Sequence, residues 1–178
     1  YNADNKTVIS YADIHGVKTT SFNNGSFFNY KNEEIYFGGI DNGLHLFDKK
    51  KQIFIHQSSL LKEKLPSVII NSISLQGNVI WLATPGGLVA LKYDNQILTL
   101  VDSVTKENGL NSDFICSVTF DNNSTIWFST YTEIVAYNAD NKTVISYADI
   151  HGVKTTSFNN GSFFNYKNEE IYFGGIDN

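Results

Sequence analysis

The chain has 178 residues, 42% hydrophobic, 14% aromatic and 17% charged, which suits one domain or a slice of a larger one and excludes a disordered segment. Eighteen acidic residues against 13 lysines and no arginine leave a net charge of -5, so no basic surface is offered to nucleic acid. No apolar run approaches the roughly 20 residues of a membrane-spanning helix, so no membrane contact is expected, and a single Cys excludes an internal disulfide.

In chain order, the first feature is a duplication. Residues 1–42 recur without change as 137–178, an offset of 136. Divergence does not leave such identity beside visibly changed neighbours, so the copy is read as engineered or artefactual. With no Met and a start at Tyr1 inside a strand, the chain is expected to be a piece of a longer one.

A strand is expected near 7–13. The first full unit spans about 25–57, with Ile35-Tyr36-Phe37, then Gly43-Leu44, then the β-prone run Gln52 to His56. Ser58 to Pro66, carrying Leu60, Leu61 and Leu65, has the spacing of a short helix in a connection. The second unit, about 71–103, opens on the alternation Ser72-Ile73-Ser74-Leu75 and continues with Ile80-Trp81-Leu82 and Gly87-Leu88. The third unit, about 115–149, places strands near 115–121, 125–131, 133–139 and 143–149, with Ile126-Trp127-Phe128 in the second. A partial unit, 161–178, ends on Ile171-Tyr172-Phe173, and the 7–13 strand could close it. Turn signals such as Gln76-Gly77-Asn78 and Asp121-Asn122-Asn123 separate the strands.

The Ile-aromatic triplets stand 45, 46 and 45 residues apart. Four short strands per repeat of about 45 residues is the signature of a β-propeller, an all-β fold in which each antiparallel sheet is a blade. One blade cannot bury its own faces, so stability comes from its neighbours. The whole chain, 1–178, reads as one propeller segment, either a fragment or a small ring of roughly four blades. A β-sandwich does not explain why the aromatic triplet returns at this period.

Gly109-Leu110-Asn111-Ser112, then Ile115, Val118 and Asp121-Asn122-Asn123, then Ile126-Trp127-Phe128-Ser129-Thr130, resembles the two-component regulator propeller repeat. Val79-Ile80-Trp81-Leu82-Ala83-Thr84-Pro85-Gly86-Gly87-Leu88 is a second copy, and Ile35-Tyr36-Phe37-Gly38-Gly39 with Gly43-Leu44 a third. The third unit departs from the pattern: its Asp121 turn lacks Gly, and Glu133-Ile134 replaces Gly-Leu. The resemblance implies the periplasmic sensor region of a hybrid two-component regulator of the kind typical of Bacteroidetes. Such a region recognises oligosaccharides and signals through a homodimer to a histidine kinase elsewhere in the parent protein.

No covalent chemistry is expected of this segment, and no cofactor. His45 and His56 sit on consecutive strands and can approach across a hairpin, but no spacing supplies the further ligands a metal needs. Cys116, between Ile115 and Val118, reads as a buried thiol. Trp81 and Trp127 invite sugar stacking, yet Tyr36 and Tyr172 fill the same place in their units. An aromatic at one position of every unit reads as packing between units. Asp48, Asp94 and Asp140 recur after the third strand as turn caps. In a propeller the connections between blades and the loops joining second to third strands share one face. His15, Lys18, Lys62, Lys106, Asp113 and Glu133 are the polar groups expected there, as candidate ligand-binding residues.

Overall fold

The computed structural model describes residues 4–10, 16–17, 22–30, 34–39, 41–56, 61, 64–95, 97–148, 151–154 and 157–176. Among these residues fourteen strands lie in this order: β1 (Phe22–Tyr30), β2 (Glu34–Gly39), β3 (Leu44–Asp48), β4 (Ile53–His56), β5 (Ser72–Gln76), β6 (Val79–Thr84), β7 (Gly87–Asp94), β8 (Ile97–Val104), β9 (Ile115–Phe120), β10 (Ile126–Thr130), β11 (Ile134–Asn138), β12 (Thr143–Tyr147), β13 (Phe158–Tyr166) and β14 (Glu170–Gly175). They make three four-stranded sheets, β1 to β4, β5 to β8 and β9 to β12, and a two-stranded sheet of β13 and β14. Every pairing within a sheet is antiparallel and joins strands consecutive in sequence. The all-β class expected from the sequence is what is observed.

Short-range chemistry closes the hairpins. The Asp48 carboxylate accepts the backbone N–H of Lys50 and of Lys51, at 2.9 and 3.0 Å. These bonds favour its charged form, with that of Lys51 first, and hold its carboxyl below the usual range. In the third sheet the cap is Asn138, whose Oδ1 accepts from Asp140 N and Asn141 N, so the residue expected to cap there is instead the donor. The expected helix at 58–66 falls mostly outside the described residues. Within it, Leu61 makes an isolated parallel bridge to Leu98. Of the 7–13 segment, 7–10 is described, with Thr7 in an isolated bridge, and 11–13 lies outside.

Two apolar cores lie between the sheets, because alternate residues of each strand face opposite neighbours. The first joins Leu44 and Leu46 of β3 to Ile73, Ile80, Leu82, Val89 and Leu91 of the second sheet. The second joins Trp81, Ala83, Leu88 and Ala90 to Ile115, Val118, Ile126, Phe128, Val135 and Tyr137 of the third. Each large side chain so buried contributes about 1.5–3 kcal/mol. The second sheet is therefore apolar on both faces, which explains why Ile80-Trp81-Leu82 shows no polar alternation.

Buried and half-buried polar side chains stitch the sheets together at their first strands. Asn71, just before β5, donates from Nδ2 to Ile115 O at 2.7 Å. Asn165 of β13 donates from Nδ2 to Thr119 Oγ1 and Phe120 O, at 2.8 and 2.7 Å. The first strands touch in a cycle: β1 meets β5, β5 meets β9, β9 meets β13, and β13 meets β1. Cys116 of β9 is fully buried, and burial pushes its thiol up to about 12, so it stays protonated.

Candidate functional site

Antiparallel pairing sends the loops joining second to third strands and the connections between sheets to the same end. There Gly43 N–H donates to Val68 O at 2.7 Å, and Phe158 N–H donates to Tyr131 O at 3.0 Å. Gly86 lies against Pro66, where an added Cβ would stand 3.0 Å from the Pro66 carbonyl oxygen.

The third sheet gives this end its chemistry. Gly87 has φ +122°, and an added Cβ would meet Val104 O at 2.8 Å, so only glycine fits. The matching place in the β10–β11 loop is Glu133, where Thr130 N–H donates to Glu133 O just as Gly39 N–H donates to Gly43 O. The Glu133 side chain is 1% exposed. Its Oε2 accepts from Asn111 Nδ2 at 2.7 Å and from Ser146 Oγ. Its Oε1 has no hydrogen-bond partner. A buried carboxylate oxygen without a donor is costly to the fold. Beside it, Phe114 and Tyr131 stack with ring centroids 4.4 Å apart and planes 19° apart. Tyr131 is 43% exposed and presents ring surface at this end.

The six expected site residues separate. His15, Lys18 and Lys62 lie outside the described residues. Lys106 opens a short 3-10 turn, Lys106–Asn108, capped by Thr105. Its backbone N–H donates to Asp113 Oδ1 at 2.6 Å. The carboxylate of Asp113 thus closes its own loop. Asp113→Ala is expected to cost about 1 kcal/mol, read as a lower urea midpoint, and Asp113→Asn to restore most of it. An Ala variant as stable as the parent would remove this role. Of the three that are described, Glu133 is the one joined by other side chains into a polar cluster.

Asn111, Ser146, Phe114 and Tyr131 are not among the site residues expected from the sequence. Phe114 directly follows Asp113, and Tyr131 lies two residues before Glu133. A search for aromatics as well as charges in the same loops reaches them.

The four positions expected to pack between units also differ. Trp81 is 3% exposed and sets its ring edge-on to Tyr137 at 6.2 Å. Trp127 is partly exposed, donates from Nε1 to Asp121 Oδ2 at 2.9 Å, and lines a cleft of about 260 Å³ with Asp121, Ile134, Glu169, Ile171 and Phe173. Tyr172 is 56% exposed, so the packing expected of it is not made: its sheet has two strands, and no third or fourth covers it among the described residues. For Tyr36 the structure describes only its place in β2, paired with Leu46.

His45 and His56 do meet, paired across β3 and β4 with rings 5.0 Å apart. His56 Nε2 donates to Asn42 O at 2.6 Å. No group of three or more His, Cys, Asp or Glu able to hold a metal occurs among the described residues.

No model of a known protein family matches the chain. It is 29% identical over 83 residues to histidine kinase P4 of Formosa agariphila, a stretch that is 47% of this chain and 6% of that protein. In fold it is similar to a domain described as the extracellular part of the hybrid two component system BT3049 of B. thetaiotaomicron, with TM-score 0.73 and 20% identity. That likeness covers 97% of this chain and 23% of that domain. A second such domain, of BT4673 from the same organism, gives TM-score 0.60 at 21% identity, over 84% of this chain and 19% of that one. PorZ, a surface component of the type-IX secretion system of Porphyromonas gingivalis, gives TM-score 0.58 at 12% identity, over 93% of this chain and 22% of that one. The chain therefore spans a small part of each of these relatives.

Proposed function

We propose that this chain is a ligand-sensing β-propeller segment from the extracytoplasmic, periplasmic part of a two-component regulator, with an oligosaccharide as its ligand. The observation that carries this reading is the fold likeness over 97% of the chain to the extracellular domain of BT3049. The cycle of contacts among β1, β5, β9 and β13 supports sheets arranged as blades about one axis. The extracytoplasmic placing is supported by those neighbours. Among the described residues no helix is long and apolar enough to cross a membrane.

The loop end has chemistry suited to a sugar. A pyranose presents apolar C–H faces and a rim of hydroxyls. The Phe114–Tyr131 stack offers an aromatic surface for the first, and the buried Glu133 carboxylate, bonded to Asn111 and Ser146, anchors the loop that carries Tyr131. No residue performs covalent chemistry in this reading. Ligand binding shifts a population between arrangements of a homodimer of the parent sensor, and a histidine kinase elsewhere in that protein reads the shift. Calorimetry against a broad panel of polysaccharide fragments is expected to give saturable binding, weakened at least about ten-fold by Tyr131→Ala, a loss of about 1.4 kcal/mol. Silence across the panel would sink the sensing role for this chain.

The likeness to PorZ favours a second reading, a non-catalytic propeller that serves as a scaffold for protein-protein interaction or assembly. The same panel separates the two, since a scaffold binds no fragment and is indifferent to Tyr131→Ala.

A further inference from the structure

The first strand of one hairpin departs from its neighbours. In the second sheet β5 and β6 keep their register throughout. In the third, Thr130 pairs with Ile115 and Ser129 with Ser117, so Cys116 is the one extra residue of β9. In the fourth sheet Phe158 pairs with Gly175 and Phe163 with Phe173, so Asn159, Asn160, Gly161 and Ser162 together face Gly174. The identical residues of the first copy do the same inside a complete four-stranded sheet: Phe22 pairs with Gly39, and Phe27 with Phe37. The bulge therefore belongs to these residues and not to the surroundings of either copy.

Local chemistry accounts for it. Gly161 has φ 67°, a conformation that glycine adopts without strain. Ser162 folds over Gly174, where an added Cβ would overlap the Ser162 Oγ and stand 3.1 Å from its Cβ. The second and third sheets, which extrude no such segment, have Ala83 and Ser129 at that place. A bulge re-aims side chains out of the ladder. Here it presents two carboxamides: Asn159 and Asn160 are exposed, and among the described residues neither side chain meets a hydrogen-bond partner. They stand beside the aromatic stack, because Phe158, adjacent to Asn159, donates its N–H to Tyr131 O at 3.0 Å.

We propose that Asn159 and Asn160 are the polar half of a sugar site whose aromatic half is the Phe114–Tyr131 stack, and that the sugar is a neutral oligosaccharide. This deepens the sensing role proposed above and rests on it. A carboxamide both donates and accepts hydrogen bonds, as a hydroxyl does, so neighbouring hydroxyls of a pyranose laid on Tyr131 find matching partners on the bulge. An uncharged amide pair supplies no counter-charge to the carboxylate of a uronic acid.

The test titrates neutral fragments (glucan, mannan and galactan oligosaccharides) and uronate fragments (pectin oligosaccharides) into the whole chain by calorimetry. Neutral fragments are expected to bind, and the double variant Asn159→Ala, Asn160→Ala to bind them at least about ten-fold more weakly. Its urea midpoint is expected to match that of the parent, because neither side chain bonds the fold. In the 15N-labelled parent chain the side-chain amide signals of both residues are expected to shift as the neutral fragment is added, a readout that needs no substitution. Binding that Tyr131→Ala weakens but the double variant does not, or amide signals that stay in place, overturns this inference and leaves the sensing role standing. Preference for uronate fragments overturns the neutral ligand class. Silence of the parent chain across the panel removes both the sensing role and the site.

Discussion

Replacing Trp81 by Ala is expected to lower the free energy of unfolding by about 3–5 kcal/mol, the usual cost of emptying a large aromatic site in a core, whereas Trp127→Ala loses less than half as much. Both residues hold the middle of an Ile-Trp-aliphatic or Ile-Trp-aromatic triplet in the second strand of a sheet. Trp81 lies in the second apolar core against Tyr137, with the third sheet closed over it. Trp127 borders an open cleft, and water already reaches part of its ring. Trp81→Phe keeps most of the packing and removes an indole N–H that has no hydrogen-bond partner, so it is expected to cost far less than the Ala change. Urea titrations followed by circular dichroism measure all three. Equal losses at the two tryptophans would contradict the packing difference.

Acidification supplies the second large effect. His45 is fully buried, and burial, followed by the charge of neighbouring His56, lowers its pKa from 6.5 to about 4. A bond to the Gly43 backbone and the charge of Asp41 act in the opposite direction and are outweighed. The folded state therefore favours neutral His45, while the unfolded chain takes up a proton near the ordinary value. The resulting stability is complete above about pH 6.5 and is lost as the pH falls toward 4. Over that window about 3 kcal/mol disappears. The position opposite Phe37 is His45 in the first sheet, and the matching positions are Val89 and Val135 in the next two. His45→Val is thus a substitution the fold already uses. It is expected to flatten the stability curve between pH 6.5 and 4.5, apart from contributions of carboxylates such as Asp48 and Asp121, whose pKa values are lowered. A variant with the same slope as the parent would rule out His45 as its source.

Part of the candidate site was legible in the chain. Glu133 stands where two other units have Gly43 and Gly87, and a charged residue in a glycine's place is visible without coordinates. Its burial, and its bonds to Asn111 and Ser146, were not, because those partners lie on other elements. Asp113 shows the opposite case. Its charge is visible in the sequence, but the bond of its carboxylate to a backbone N–H seven residues upstream is not. The Phe114–Tyr131 stack joins residues from two different loops, and no periodicity brings such a pair together.

The duplicated segment separates what sequence decides from what the tertiary structure decides. Residues 4–7 and 140–143 make the same turn: Lys6 and Lys142 have φ 55° and 61°, and Thr7 and Thr143 donate to the Asn two residues earlier at 3.1 and 3.0 Å. Those bonds close within a few residues, so the local sequence fixes them wherever it occurs. The residues that follow differ. Val144 and Ile145 lie in β12, paired with Tyr137 and Ala136, whereas Val8 and Ile9 lie in no strand and are 75% and 62% exposed. A strand needs hydrogen-bond partners and an apolar face supplied by remote parts of the chain. The amino-acid order therefore determined the turns, the strand periodicity and the recurring aromatic position. Only the assembled sheets decided which copies became strands and which tryptophan was sealed.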